Sequence, residues 1–404
     1  MCSSDLITNS NGGNVSIAEA NAVTVNNITQ SAGGDISLVA QGTVVIDDTV
    51  DANDATLVAA TTGTVTITAQ GAGSNIEIHD EIVSTSGDIN LTAQDSIIFE
   101  GADSDISSTS GAIVLRANSN DANDVGSDEI LMSSTGDGSV IDAGSGRIEL
   151  STGTTGGGDI TVHRLQTTST ATGTGTASAV LINAAGSILD ATDDVNTGTA
   201  TVNIRTGDGA RIDLTAGADI GATPDAVDTT GNLEIGVDGE TNIIDATTTG
   251  GEVRITSAGN LRLAFVDGAG AISFTADGIS LLAGDSVDSS GTSTTITLTA
   301  DEIAVAGTAD VTTSGGGTNQ VTLQNRTATS IELGAGGTGL DLTSTTLDRF
   351  FTDIIYVGSG SATSITITDA IAPANATTLI LETAGAITDT GAGAGITETN
   401  LSVN

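Results

Sequence analysis

Aromatic side chains are nearly missing from this chain, which has no Trp, one Tyr and five Phe in 404 residues. A compact globular domain usually fills a thick core with such side chains, so the composition argues against one. Intrinsic disorder is disfavoured as well, because hydrophobic residues make up 38% of the chain and recur at regular intervals. The composition therefore predicts a thin core of aliphatic side chains.

Basic residues are scarce and lysine is absent. Nine Arg stand against 51 Asp and Glu, which gives a formal net charge of −42. Proteins bind nucleic acid and anionic lipid through basic patches, and no apolar run is long enough to span a bilayer as a helix. We therefore expect neither a nucleic-acid partner nor membrane insertion, and we interpret the acidity as repulsion that keeps a strand-rich protein soluble.

Cys2 is the single cysteine, so no disulfide within the chain can hold the fold together. It lies in MCSSDL, residues 1–6, which resemble the translated end of a sequencing adapter. We predict that these six residues are such an artefact and that the reading frame is cut at both ends; the alternative is an ordinary N-terminus. Residues 1–11 are set apart as a non-repeat segment in which no signal peptide is visible.

A short motif recurs along the rest of the chain: apolar, any residue, apolar, any residue, Ala. Alternation with period two is the signature of a β-strand that turns one face inward. The first apolar residues of the early copies, at positions 36, 65, 89 and 113, lie 29, 24 and 24 residues apart. Two or three strands in about 20 to 25 residues describe one coil of a β-solenoid. The copies are Ile36–Ala40, Val65–Ala69, Ile89–Ala93, Ile113–Ala117, Ile212–Ala216, Ile272–Ala276 and Ile296–Ala300.

The predicted fold class is therefore all-β, a parallel β-helix in which inward Ile, Leu and Val stack coil on coil and outward Thr, Ser and Asn line the surface. About 18 coils at about 4.8 Å per coil would form an elongated rod roughly 85 to 90 Å long. The small Ala at the end of each motif is predicted to sit at a corner. The glycines of GGD (Gly33, Gly34) and SGD (Gly87) are predicted to supply turn conformations closed to other residues.

Residues 12–404 are predicted to form a single continuous repeat region. Three stretches break the repeat and are predicted to be loop insertions, near residues 118–129, 151–158 and 166–178. Residues 340–404 contain Phe350, Phe351 and Tyr356 and are predicted to form variant coils.

The DINLTAQ-type units, together with LDRFFTDIIYVGSGSATSITIT near the end, resemble the repeats of filamentous-haemagglutinin-like bacterial exoproteins, which are large repeat adhesins. The resemblance covers roughly residues 12–403 and rests on spacing and residue type. It implies a right-handed parallel β-helix, export from a Gram-negative-type cell and a role in adhesion. An outer-membrane transporter of the two-partner or autotransporter type would then be a partner, although the secretion module and translocator of that family are not found in this sequence.

Two clusters of Asp were weighed as catalytic groups, because some parallel β-helices degrade polysaccharides and paired carboxylates cleave glycosides as acid and base. Their members are Asp47, Asp48, Asp51 and Asp54 in the first, and Asp190, Asp193 and Asp194 in the second. Both clusters fall where turns are expected, and Asp favours turns. We interpret them as turn residues and predict no catalytic residue.

A third candidate is NSNDANDVGSDE, because Ca²⁺ prefers several oxygen ligands. Its oxygen-bearing side chains belong to Asn118, Asn120, Asp121, Asn123, Asp124, Asp128 and Glu129. The spacing does not match an EF-hand, so weak, non-specific calcium binding is left open and no cofactor is expected. His79 and His163 lack a Cys or His at zinc-ligand spacing, so no zinc site is expected.

Together these features favour a non-enzymatic structural and adhesive shaft of a large secreted or cell-surface bacterial adhesin. Its partners would be a host or neighbouring-cell surface, extracellular matrix or polysaccharide, and its location extracellular. Two alternatives stay open: a carbohydrate-active β-helix enzyme, and an ice- or mineral-binding solenoid that presents rows of Thr.

Overall fold

The structure is a computed structural model, and it describes residues 7–9, 11–47, 57–59, 62–101, 104–119, 129–134, 138–153, 158–191, 202–221, 231–327, 329–334, 339–390 and 393–404. Nearly all regular elements in these ranges are short strands joined in parallel sheets, as an all-β parallel solenoid requires. The described helices are one 3₁₀ turn, Gly175–Ala177, and one α-helical turn, Ser344–Leu347. Contacts divide the chain into two compact units, Met1–Glu234 and Ile235–Asn404. The single repeat region over residues 12–404 stays a prediction.

The first unit is built from three parallel sheets that the chain visits in turn. The first sheet contains Ile7–Asn9, Ile28–Gln30, Leu57–Ala59, Ile82–Ser84, Ile106–Ser108, Val140–Asp142, Arg164–Gln166 and Ile204–Arg205. The second sheet contains Val15–Glu19, Ile36–Ala40, Val65–Ala69, Ile89–Ala93, Ile113–Arg116, Ile148–Ser151, Val180–Ala184 and Arg211–Ala216. The third sheet contains Val23–Val25, Val44–Ile46, Ile76–Ile78, Ile97–Phe99, Ile130–Leu131, Ile160–Val162 and Ile188–Asp190.

The core of the first unit consists of aliphatic side chains stacked in register. In the second sheet Ile36, Val65 and Ile89 are direct neighbours, and so are the residues two positions further along each strand. These inward residues are 0% exposed, including the Ala that ends each motif. The predicted coil-on-coil stacking of aliphatic side chains is therefore confirmed for these strands.

Glycine is needed before the second-sheet strands because successive coils come very close there. A Cβ on Gly87 would lie 1.8 Å from the carbonyl oxygen of Gly63 in the previous coil. The hydroxyl of Ser84 donates to the same carbonyl at 3.1 Å and accepts from the amide of Gly87 at 2.9 Å. The sequence analysis predicts that glycine is present at these corners because the turn needs a conformation closed to other residues. It holds for Gly33, whose φ is +87°, but is wrong for Gly34 and Gly87, where close approach of the backbone excludes a side chain.

The Asp that follows this glycine bonds to the next coil. Asp35 Oδ1 accepts from the amide of Thr64 at 2.9 Å, and Asp88 Oδ1 accepts from the amide of Ala112 at 2.8 Å. Each carboxylate thus satisfies a backbone donor just before the following strand begins. Several of the acidic residues of this chain therefore act as links between coils.

The stretch predicted as a loop near 166–178 leaves the first sheet and folds over the outer face of the second. Arg211 Nε donates to the carbonyl oxygen of Thr172 at 3.0 Å, and the amide of Gly175 donates to Asp213. Asp213 is buried on the outward side of its strand. The loops near 118–129 and 151–158 lie largely outside the described residues.

Within the N-terminal segment predicted to lie outside the repeat, Ile7–Asn9 pairs in register with Ile28–Gln30, the second strand of the first sheet.

The second unit contains one long sheet, one branched sheet and two small sheets. The strand Leu233–Ile235 spans the boundary between the two units. The long sheet holds Val253–Ser257, Ile272–Thr275, Thr295–Thr299, Gln320–Gln324, Ile354–Ser359, Thr378–Thr383 and Asn400–Val403. The branched sheet holds Thr241–Thr248, Asn260–Gly268, Gly278–Leu281, Ser286–Ser289, Glu302–Val305, Asp310–Thr313 and Phe350–Phe351. The small sheets hold Ser330–Leu333, Leu340–Leu342, Ser364–Ile367 and Ala386–Asp389, and Ala370–Ile371 with Gly395–Ile396.

We expect that replacing Leu91 by Ala lowers the free energy of unfolding by about 2 to 5 kcal/mol, because its side chain is fully buried in a stacked row. Thr92→Ala on the same strand removes a side chain from the outward face and should cost less than about 1 kcal/mol. Urea unfolding followed by circular dichroism measures both. Equal losses for the two variants would contradict the assignment of the inward face.

Gly87→Ala should destabilise the protein by about 1 to 3 kcal/mol, because the new methyl group overlaps a backbone carbonyl that cannot rotate away. Gly13→Ala is the matched control from the same turn position of an earlier coil, where the nearest atom to a new Cβ is 3.7 Å away. Thermal unfolding of the two variants should separate them clearly. A Gly87→Ala protein as stable as Gly13→Ala would refute the close-approach explanation.

Candidate binding cleft

The branched sheet of the second unit divides where one strand has two successors. The first half of Asn260–Gly268 pairs with Gly278–Leu281 and its second half pairs with Ser286–Ser289. In the preceding strand the register shifts between Ile244 and Asp245. A bulge of this kind bends the strands around it, so the sheet changes direction here. The chain between Leu281 and Ser286 forms a tight turn at this bend.

An ion pair holds this bend. Arg262 makes two parallel hydrogen bonds to Asp285, Nε to Oδ2 and Nη2 to Oδ1, each at 2.9 Å. The side chain of Asp285 is only 7% exposed, and it also accepts from the amide of Leu282 at 2.7 Å. The hydrogen bonds that Arg262 donates to Asp285 raise the pKa of Arg262; burial lowers it, and the negative charges of Asp285 and Asp245 add to the rise. The guanidinium therefore stays charged, and the bidentate geometry fixes the turn.

A cleft of about 550 Å³ opens beside this turn. One side is the strand Glu302–Val305, which pairs with Gly278–Leu281 and, among the described residues, with no second strand. The other side is the strand Leu340–Leu342, which ends the four-stranded sheet and pairs with Ser330–Leu333. The two strands lie beside each other without forming a ladder. Two sheet edges therefore meet at this cleft.

The lining of the cleft combines carboxylates with aliphatic surface. Asp301 and Glu302 stand on one side and Asp341 on the other, and none of the described residues that line the cleft is Lys, Arg or His. Asp301 is already engaged, because it accepts from the amide of Thr327 at 3.0 Å and from its hydroxyl at 2.8 Å. Glu302 is exposed and Asp341 is half-buried. The cleft thus presents negative charge and hydrogen-bond acceptors to a ligand.

Aliphatic residues supply the rest of the surface. Leu281 and Ile303 are buried beneath the cleft, whereas Val305 is half-buried and Leu282 is 48% exposed. Leu282 is one of few large apolar side chains that the described residues expose to this degree. A ligand that contacts both the carboxylates and this surface must carry donors or positive charge next to an apolar portion.

The strand Leu340–Leu342 is held in place at both of its ends. A Cβ on Gly339 would lie 2.0 Å from the carbonyl oxygen of Ser330, so only glycine allows the strand to approach. At the other end Thr343 caps the helix Ser344–Leu347 by accepting from the amide of Thr346 at 3.1 Å. Such a cap contributes about 1 kcal/mol to a helix terminus.

Arg349 then fastens the chain after this helix to the turn that follows the opposite strand. Its Nε donates to the carbonyl oxygen of Ala309 and its Nη1 to that of Gly307, both at 3.0 Å, and Nη2 pairs with Asp310. The guanidinium also lies 5.8 Å from the ring centre of Phe351, within cation–π range. Both sides of the cleft are therefore tied together by side chains outside it.

The two Asp clusters considered as catalytic candidates in the sequence do not line this cleft. Asp47 follows the strand Val44–Ile46 and is half-buried, and Asp190 ends the strand Ile188–Asp190 and accepts from Asn203 Nδ2 at 2.7 Å. The remaining members, Asp48, Asp51, Asp54, Asp193 and Asp194, lie outside the described residues. Their interpretation as turn residues stays a prediction.

The calcium candidate is described only at its two ends. Asn118 is buried with a φ of 47°, and its amide donates to the carbonyl oxygen of Asp95 at 2.8 Å. The amide of Glu129 donates to the hydroxyl of Ser96 at 3.1 Å. The residues between, Asn120, Asp121, Asn123, Asp124 and Asp128, lie outside the described residues, as does Cys2. The possibility of weak calcium binding there stays untested.

The two histidines contact different residues. His79 Nε2 lies 3.7 Å from Glu100 Oε2, and His163 Nδ1 lies 2.9 Å from the carbonyl oxygen of Ser139. Across the described part of the chain, no group of three or more His, Cys, Asp or Glu residues is placed to hold a metal ion.

Comparisons with known proteins find no matching family model, no matching curated protein and no matching solved structure. Within the described residues, no helix is long and apolar enough to cross a membrane.

Sequence reasoning did not select Glu302 or Asp341. Glu302 lies directly after the motif copy Ile296–Ala300, and Asp341 lies in the region predicted as variant coils. A usable signal was present, because the repeat is interrupted by the glycine-rich stretch 334–339 shortly before Leu340–Leu342.

Replacing Asp285 by Asn should destabilise the second unit by about 1 to 3 kcal/mol, because the charged acceptor of Arg262 and Leu282 is lost. Glu252→Gln is the control: the Glu252 side chain is 34% exposed, against 7% for Asp285, so its pair with Arg254 should contribute less than about 1 kcal/mol. Hydrogen exchange at the Leu282 amide should accelerate in Asp285→Asn alone. An unchanged exchange rate would contradict the role of this ion pair.

Proposed function

We propose that this chain is a section of the shaft of a large secreted or cell-surface bacterial adhesin, and that its role is structural and adhesive, without catalysis. The shaft would be a right-handed parallel β-helix of about 18 coils, roughly 85 to 90 Å long at about 4.8 Å per coil. The alternative roles of carbohydrate-active enzyme and ice- or mineral-binding solenoid rank below it.

The observation that carries this proposal is the in-register stacking of one coil on the next. Ile36, Val65 and Ile89 continue one buried row, while Asp35 and Asp88 bond forward to the amides of the next coil. In such a stack each coil contacts only its neighbours, so stability and length grow together. A spacer needs length and only a thin core. The thin core explains the lack of aromatic residues.

The proposed partners follow from the charge and from the resemblance to filamentous-haemagglutinin-like exoproteins. The proposed partner is a host or neighbouring-cell surface, extracellular matrix or polysaccharide, and the net charge of −42 disfavours nucleic acid. An extracellular location, and export through an outer-membrane transporter of the two-partner or autotransporter type, belong to the same proposal.

Small-angle X-ray scattering of the recombinant chain tests the shaft. We expect a rod-like particle with a maximum dimension near the length estimated above and a separate cross-sectional region in the scattering curve. A pair-distance distribution typical of a compact globule would contradict the proposal.

Antibodies raised against the chain test the location and the adhesive role. They should label intact source cells without permeabilisation and reduce attachment of those cells to a coated surface. Labelling only after permeabilisation, or release of reducing ends from polysaccharides by the purified protein, would favour one of the alternatives instead.

A further inference from the structure

The five Phe residues of this chain fall into two groups. Phe99, Phe274 and Phe350 belong to the core, where each is at most 2% exposed. Phe265 is 48% exposed, and Phe351 is half-buried. Because an aromatic ring is among the largest apolar surfaces that a chain can bury, two rings that point outward in a chain so poor in aromatic residues need an explanation.

Both outward rings lie on the same face of the branched sheet. The inward row of its later strands consists of Val266, Val287, Val311 and Phe350, which are at most 1% exposed. Side chains alternate between the two faces of a strand, so the residues on either side of this row point outward. They form two outward rows, which we call the aromatic face: Phe265, Ser286, Asp310 and Arg349 in the first, and Asp267, Asp288, Thr312 and Phe351 in the second.

A β-bulge is what turns Phe265 outward. Leu263 lies opposite Ile244 and Phe265 lies opposite Asp245, so Ala264 is the extra residue. Leu263 is buried and points inward. Without the extra residue, strict alternation would turn Phe265 inward as well, two positions after Leu263. The irregularity of this strand therefore places an aromatic ring on the surface.

The second ring is held in position by Arg349. Its guanidinium lies 5.8 Å from the ring centre of Phe351, while its Nε and Nη1 donate to the carbonyl oxygens of Ala309 and Gly307. A side chain that is already ordered loses little further freedom when a ligand binds. Phe351 is therefore a preorganised contact surface.

The two rings stand at diagonally opposite ends of the aromatic face. Three strand-to-strand steps and two residues along the strand separate Phe265 from Phe351. At about 4.8 Å per step and about 3.3 Å per residue, the separation is about 16 Å. A monosaccharide-sized ligand cannot contact both rings, whereas an extended polymer can.

Polar side chains fill the space between the rings, and they are Ser286, Asp288, Asp310 and Thr312. The Asp310 side chain is 43% exposed, and the other three residues are half-buried. Asp288 accepts one hydrogen bond from Ser314 Oγ at 3.2 Å, and Asp310 pairs with Arg349. A carboxylate has about four acceptor sites, so both Asp residues keep capacity for donors from a ligand.

The alternation of apolar rings and hydrogen-bond acceptors indicates the class of ligand. A sugar ring has a C–H side that packs on an aromatic ring and hydroxyls that donate to carboxylates. Three Asp and one Arg lie on the aromatic face, so its net charge is negative and a polyanionic polysaccharide is disfavoured. A basic peptide would satisfy the Asp residues, but it would not need two rings about 16 Å apart.

We propose that the aromatic face binds an extended neutral polysaccharide, with one sugar unit on Phe265, another on Phe351, and the units between them hydrogen-bonded to Asp288 and Asp310. This inference rests on the proposed adhesive role and deepens it, because it names a ligand class and places its site on the second unit.

Isothermal titration calorimetry of the full chain with cellohexaose, xylohexaose and mannohexaose tests the site. At least one of these neutral hexasaccharides should bind. The disaccharide of the same sugar is too short to reach both rings, and it should bind at least about tenfold more weakly.

Substitutions locate the binding. Phe265→Ala removes one ring and should weaken binding about tenfold, whereas Phe265→Tyr keeps a ring and should bind within about twofold of the unchanged protein. Asp288→Ala removes an acceptor and should weaken binding about two- to fivefold. Leu401→Ala is the matched control, because Leu401 is also 48% exposed but lies on the long sheet, and it should leave the dissociation constant unchanged. Circular dichroism should show that all four variants are folded.

Three results would overturn the site. The first is the absence of binding by all three hexasaccharides. The second is equal affinity of Phe265→Ala and Leu401→Ala for the hexasaccharide that binds. The third is tighter binding of an octapeptide of alternating Lys and Thr than of any hexasaccharide, which would identify a basic-peptide site instead.

Failure of this site is distinguishable from failure of the adhesive role. If no hexasaccharide binds but antibodies against the chain still reduce attachment of source cells, the aromatic face is not the binding site and the adhesive role stands. If the antibodies also leave attachment unchanged, the adhesive role fails as well.

Discussion

Parallel, in-register contact between successive coils is the constraint on which the rest of this structure depends. Each inward side chain packs on a similar side chain about 4.8 Å above or below it, so Ile, Leu and Val repeat at the same positions along the stacked strands. A shift of one residue would turn every buried side chain outward. The turns must therefore return the chain to the same register each time, whatever the length of the loop between two strands.

That requirement explains why glycine recurs at one particular corner. Adjacent backbones there approach so closely that the position occupied by Gly87 has no room for a Cβ. The buried Ser84 hydroxyl satisfies one carbonyl and one amide at the same corner. Glycine, serine and aspartate thus recur together because a single corner needs a missing side chain, a small hydroxyl and a carboxylate. At Gly87 glycine is required by packing between coils and not by the conformation of the turn itself.

Sequence reasoning predicted the strands well where the alternation was strict. Ile36–Ala40, Val65–Ala69 and Ile89–Ala93 have the same bounds in the motif and in the structure. It could not predict which strands pair, because alternation describes one strand and pairing depends on the path of the chain between strands. The strands Gly278–Leu281 and Glu302–Val305 each follow a copy of the motif, where the repeat predicts a second strand of the same coil. In the structure they form a branch of a bent sheet, and the cleft exists because of that branch.

The extreme acidity is easier to accommodate in this architecture than in a globule. Carboxylates at the corners accept backbone hydrogen bonds from the next coil, as Asp88 does, so part of the charge is used to hold the stack together. Others pair with the few Arg, and the buried Asp285 does so with two hydrogen bonds. Salt screens the interactions between exposed charges that lie farther apart than about 10 Å. The carboxylates at the corners therefore add hydrogen bonds between coils, while the remaining exposed acids contribute a repulsion between molecules that salt weakens.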